Sequence, residues 1–208
     1  MNKPRWFRRI GLLACVLGLA PLLASCYVPD QFRAEIRLAA NGDYSLSYQG
    51  MLTWAPVYMK IRTGELSGAE LRKKVEEVRA DLKRDPQFTE IRSLGGGQFA
   101  VKYYRTGNFG SKPAFISFVR RSSQLMSLES RDRILTVAAQ TPNPEKAKPL
   151  QEAGLMIRGS LRVFSQLPVV GEPGAMAVFP DKASGWTAYD WYIDGTKPVY
   201  PKIVFRLP

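Results

Sequence analysis

Few residues in this 208-residue chain can do chemistry at neutral pH: there are two cysteines, Cys15 and Cys26, and no histidine. Without imidazole, Ser-His-Asp and Cys-His nucleophile systems lack their general base, and zincin-type sites lack their ligands. No Ser-x-x-Lys, Gly-x-Ser-x-Gly or P-loop pattern occurs either. What remains is carboxylate chemistry, or an oxygen-ligand metal such as calcium. Asp181, Asp190 and Asp194 lie near the densest aromatic run, Trp186-Thr187-Ala188-Tyr189-Asp190-Trp191-Tyr192. A carboxylate pair can hydrolyse a glycosidic bond when its separation is fixed. Nothing in this spacing fixes one, so no catalytic residue, cofactor or metal is assigned.

The same run supports a binding reading. Trp186, Tyr189, Asp190 and Trp191 could form a glycan or lipid surface, with rings stacked on sugar faces and Asp190 bonding hydroxyls. The competing reading is a two-faced buried strand, because aromatics suit pleated, half-buried positions. As a strand it would carry Trp186, Ala188, Asp190 and Tyr192 on one face, and Tyr189, Trp191 and Ile193 on the other. Arg120-Arg121, with Lys112 nearby, could hold a phosphate, although paired arginines at a strand end are commonly just solvated.

The N-terminus carries a stronger pattern. Lys3, Arg5, Arg8 and Arg9 form a positive start, Ile10 to Leu23 an apolar stretch, and Leu23-Ala24-Ser25 a small-residue lead into Cys26. This is the layout of a cleavable secretory signal over residues 1–25, with cleavage between Ser25 and Cys26. The apolar core is short for a membrane span of about 20 residues. Leu23-Ala24-Ser25-Cys26 also resembles the lipobox of bacterial lipoproteins. That resemblance implies diacylglycerol on the Cys26 thiol and acylation, for instance with palmitate, of its freed amine. Two or more chains anchor stably where one binds marginally. In that family aspartate after the cysteine signals inner-membrane retention. Tyr27 stands there instead, which implies the outer membrane, facing the periplasm.

With Cys15 removed and Cys26 acylated, the mature chain of residues 26–208 would have no free thiol and no disulfide. The signal carries four of the thirty basic residues and none of the eighteen acidic ones, which leaves +8. On an envelope protein that charge would attract anionic lipid, lipopolysaccharide or acidic envelope proteins rather than nucleic acid. A basic surface that binds nothing in particular is the plainer alternative.

The elements around these residues follow from periodicity. Phe32, Ala34, Ile36 and Leu38 alternate with charges; Asn41-Gly42-Asp43 is a hairpin signal; Tyr44, Leu46, Tyr48 and Leu52 return, with Gly50 as a possible bulge. Met51 to Met59 is apolar without a clean period and reads as a buried crossover. Ser67-Gly68-Ala69-Glu70 is a capping box, followed by Leu71, Val75, Val78 and Leu82 at helical spacing and ended by Asp85-Pro86. Phe88 to Leu94 and Gln98 to Tyr104 flank the turn Gly95-Gly96-Gly97. Short strands follow over 114–119, 125–131 and 134–139, then a loop and short helix over 143–153 capped by Asn143. Leu155 to Val163 is a strand, Leu167 to Asp181 a long loop, and the Trp186 run and Lys202 to Leu207 close the chain.

One long amphipathic helix and about ten strands predict an α+β domain. The expected form is a mostly antiparallel, meander-like sheet with Leu71, Val75, Val78 and Leu82 docked on one face. A β-sandwich or partly open barrel plus helix is the alternative. The opening hairpin and the closing Trp-containing strands resemble the LppM-like lipoprotein domain of actinobacteria. The expected role is a membrane-anchored interaction or structural module. The alternatives are a carrier holding an amphiphile between sheet and helix, and a carboxylate-based hydrolase.

Overall fold

The computed structural model describes residues 27–110, 112–120, 123–140, 144–195 and 199–208. The signal segment, Ser25, Cys26, Arg121 and Asn143 lie outside the described residues.

The first strand, β1 (Tyr27–Leu38), starts directly after Cys26 and folds back through Asn41-Gly42-Asp43 onto β2 (Asp43–Trp54). Gly42 has φ +85°, a conformation that glycine adopts without steric cost. The Asn41 side chain donates to Asp43 and accepts from the Asp43 amide, and Asn108 donates to the Asp43 carboxylate at 2.7 Å. Those bonds, Asn108 first, hold the Asp43 carboxyl below its usual 3.8. Because the folded value is the lower one, this contribution is complete above about pH 4 and is lost as pH falls through the folded value. A carbon-detected NMR titration should place the Asp43 midpoint below 3.8, and Asn108→Ala should move it back up. An unchanged midpoint in that variant would reject the Asn108 contribution.

A bulge interrupts β1. Asp30 pairs with Met51 and Arg33 with Gln49, so Gln31 and Phe32 together face Gly50. The extra residue therefore lies in β1, where Gln31 has φ +47°, and Gly50 is the glycine that the bulge presses against. Asp30 accepts from the Gln31 amide at 2.9 Å and supports this turn.

After β2 the chain forms α1 (Ala55–Arg62), where a simple crossover was expected. Pro56 fits the first helical turn, and Val57 is buried. The long helix α2 (Gly68–Leu82) has Ser67 at its N-cap, but no side-chain capping bond forms, so the expected capping box is a position without its hydrogen bond. Its stripe is as spaced: Val78 and Leu82 are buried, and Leu71 and Val75 pack half-buried. It lies against β3 and α1 at one edge of the large sheet, not across the middle of a face.

The remaining strands are β3 (Phe88–Gly95), β4 (Gln98–Asn108), β5 (Ala114–Arg120), β6 (Ser123–Arg131), β7 (Ile134–Ala139), β8 (Arg158–Ser165), β9 (Ala177–Asp181), β10 (Trp186–Asp194) and β11 (Lys202–Arg206); α3 (Pro144–Glu152) precedes β8. They form two sheets, ordered β3-β4-β2-β1-β8-β10-β9 and β11-β7-β6-β5. The expected single meander is corrected on two points. β1 and β8 are parallel, with Phe32 opposite Gly159 and Leu38 opposite Ser165, so the large sheet is mixed. The strands also divide into two open sheets. β9 is a strand inside the expected long loop, and it forms the free edge beside β10.

The small sheet covers one face of the large one. Phe118 of β5 meets Tyr48 of β2 at 4.5 Å and Tyr103 of β4 at 4.8 Å, while Phe205 of β11 reaches Tyr189 of β10 at 6.0 Å. Burying side chains of this size stabilises by roughly 1.5–3 kcal/mol each. The aromatic seam therefore binds the two sheets into one core.

Candidate binding surface

Among the described residues, the other face of the large sheet is open. Along β1 the inward residues Ala34, Ile36 and Leu38 are buried, while Arg33, Glu35 and Arg37 alternate outward. β4, β8 and β10 repeat this period, so the register lines the outward side chains into rows. One row runs Tyr104, Ser47, Glu35, Arg162, Asp190 and Ala177 across β4 to β9. The next row, toward the hairpin end, runs Ser45, Arg37, Phe164, Ala188 and Phe179.

The alternation read from the aromatic run holds, and it divides the candidate residues. Trp191 is 2% exposed and donates its indole N–H to the Gly174 carbonyl at 2.9 Å. Tyr189 is buried beside Phe205. Both belong to the core between the sheets. Trp186 and Asp190 are on the open face, so the four residues form no single surface.

Asp190 is held by Arg162, whose Nε and Nη2 donate to its two carboxylate oxygens at 2.6 and 2.5 Å. That bond is the main reason the Arg162 guanidinium holds its proton more tightly than an ordinary arginine. On β1, Arg37 Nε donates to Glu35 at 2.7 Å, and its guanidinium lies 4.4 Å from the centre of the Phe164 ring. Exposed pairs of this kind contribute about 0–1 kcal/mol. They order the surface more than they hold the fold.

The three aspartates considered for catalysis do not face one another. Asp190 is bidentate with Arg162; Asp181 accepts from Ser184 Oγ and the Ala183 amide in a turn; and Asp194 ends β10 opposite Arg158. No cluster of three or more potential metal ligands occurs among the described residues. Lys112 lines a cleft of about 550 Å³ with Arg131 and Arg133 at the hairpin end, and Arg121 lies outside the description.

Two shallow recesses mark the open face. One, about 380 Å³, is lined by Arg33, Glu35, Ser160, Arg162, Asp190 and Tyr192. The other, about 210 Å³, is lined by Arg37, Phe164, Phe179, Asp181, Trp186 and Ala188, with Ser184 at its rim. Sequence reasoning missed Phe164, Phe179 and Arg37. A usable signal existed for Phe164, a large aromatic at an outward position of β8 between Arg162 and Gln166. Phe179 was lost because β9 was read as a loop.

No protein-family model matches the chain, and no curated protein matches it significantly. Among solved structures it has a weak likeness to the NMR structure of the Mycobacterium tuberculosis LppM folded domain. The TM-score is 0.39 at 8% identity, over 91% of this chain and 96% of that one. Among the described residues no helix is long and apolar enough to cross a membrane.

Proposed function

We propose that this chain is a lipid-anchored protein of the bacterial envelope whose domain works as a binding module, by contact and not by catalysis. The observation that carries the reading is the open face of the seven-stranded sheet: ordered ion pairs with exposed rings among them, uncovered by the described residues while the small sheet packs on the opposite face. The N-terminal pattern ending in Cys26 supports the anchor, and Tyr27 supports an outer-membrane location facing the periplasm. Anionic lipid, lipopolysaccharide and envelope proteins are the partners that its charge favours.

The carrier alternative places an amphiphile between the large sheet and α2. The apolar crevice lined by Phe32, Tyr48, Met126 and Ile193 among others lies between the two sheets instead, and has about 10 Å³, the room of a single water.

The test is photo-crosslinking in cells, with the reactive residue at Tyr192 on the open face or at Lys73 on the exposed side of α2. Specific adducts from Tyr192 and none from Lys73 are expected. Equal adducts from both positions, or none from Tyr192, would overturn the proposal.

A further inference from the structure

The smaller recess has a more specific construction than the rest of the face. Phe164, Ala188 and Phe179 are direct neighbours across β8, β10 and β9. Two ring-bearing positions are thus roughly 9–10 Å apart, two strand spacings, with only a methyl group between them. Ala188 is buried at the floor, whereas Phe179 is 56% exposed on the free-edge strand. Arg37 stacks on Phe164 from the β1 side, the side away from Ala188, and so backs that wall. Trp186 precedes Ala188 by two residues on the same face and bounds the recess toward the Asp181 turn.

A gap of this width between two aromatic walls admits one flat group. The recess volume of about 210 Å³ is below the roughly 300 Å³ at which drug-sized sites begin, so the occupant is one ring and not a chain. The rim toward the turn is polar, with the Asp181 carboxylate and the Ser184 hydroxyl. A purely aromatic ligand would cover the Asp181 and Ser184 oxygens without bonding them. A ring with apolar C–H faces and hydroxyls around its edge would use both walls and rim.

We infer that this slot binds a single pyranose ring of an envelope saccharide, its C–H faces between Phe164 and Phe179 and its hydroxyls toward Asp181 and Ser184. This deepens the binding-module reading and rests on it. The acidic turn is prepared to accept hydroxyl protons: Ser184 and the Ala183 amide hold the Asp181 carboxyl below its usual 3.8, so it is ionised at neutral pH.

The experiment is saturation-transfer NMR on the full-length protein in detergent micelles, with methyl glucoside, methyl mannoside and N-acetylglucosamine as probes. At least one should receive transfer on its ring C–H protons, and indole should compete weakly or not at all. Phe179→Ala should weaken that binding roughly tenfold by removing one wall. Ala188→Leu, which fills the floor and leaves the rings in place, should abolish it. The amide spectrum of each variant should match wild type outside β8 to β10, which separates loss of the slot from loss of the fold. No transfer to any of the three sugars, wild-type binding by Ala188→Leu, or full displacement by indole would each overturn the assignment. Specific in-cell crosslinks from Tyr192 together with no sugar binding would reject the slot and leave the binding-module reading standing.

Discussion

Cys26→Ser is expected to remove all acyl mass from the protein and to block processing of residues 1–25, while the folded domain is unchanged. The physical case combines the sequence pattern with the start of β1. A single chain gives marginal membrane binding, and further chains add roughly 0.8 kcal/mol per buried CH₂. The wild-type protein should therefore fractionate with membranes and resist release by salt, which screens only the basic surface. Tyr27 is already paired with Trp54 and 4% exposed, its ring 4.7 Å from the Trp54 ring. If Cys26 is acylated, the domain would begin one residue, about 4 Å of chain, from the anchor. Intact-mass spectrometry of the wild type and Cys26→Ser decides the matter. Cleavage of the wild type with no added mass would sink the anchor.

The anchor also bears on the sugar slot. Phe164 and Ala188 are level with Arg37, ten residues along β1 from Tyr27, or about 33 Å of strand. If Cys26 is the attachment point, the proposed slot would meet a saccharide presented away from the lipid headgroups around that anchor.

What the sequence revealed and what it concealed divide along one line. Period-2 alternation gave the inward and outward faces of β1, β2 and β10 correctly, and Asn41-Gly42 gave the hairpin, because these signals are local. The stripe Leu71, Val75, Val78, Leu82 gave α2 for the same reason. Alternation does not name a strand's partner, so the parallel pairing of β1 with β8 was illegible across more than a hundred residues. Nor could it show that the strands divide into two sheets. α1 was hidden because Trp54-Ala55-Pro56-Val57 buries residues on several sides and shows no clean 3.6-residue stripe. β9 was hidden because it pairs with β10 at the sheet edge, and Gly174 before it and Pro180 within it punctuate the segment as a loop would. The slot suffered most, since its walls come from separate strands and only their register brings them together.

Gly159→Ala is expected to cost about 3 kcal/mol or more, a large share of the stability of a domain of this size. A Cβ on Gly159 would lie 2.5 Å from both Cγ and the carbonyl oxygen of Phe32, closer than real Cβ contacts come. Phe32 cannot withdraw. Its backbone is fixed by the bulge, where its Cα and Cβ would in turn be 2.6 and 2.5 Å from a Cβ on Gly50. Its ring is stacked near Tyr48, with centroids 5.5 Å apart. Two glycines on the strands flanking β1 thus make room for one phenylalanine at the parallel junction of β1 and β8. Guanidinium unfolding should show a lower midpoint with the slope preserved. The double variant identifies the cause. In a Phe32→Ala background the ring is gone, so the cost of Gly159→Ala should fall by about 1 kcal/mol or more. The cost of Gly50→Ala should not fall, because its clash is with the Cα and Cβ that alanine retains. If Gly159→Ala and Phe32→Ala add to within about 0.5 kcal/mol, the ring is not what excludes a side chain there. The same coupling between Gly50→Ala and Phe32→Ala would show that the bulge backbone yields and that the ring sets both costs.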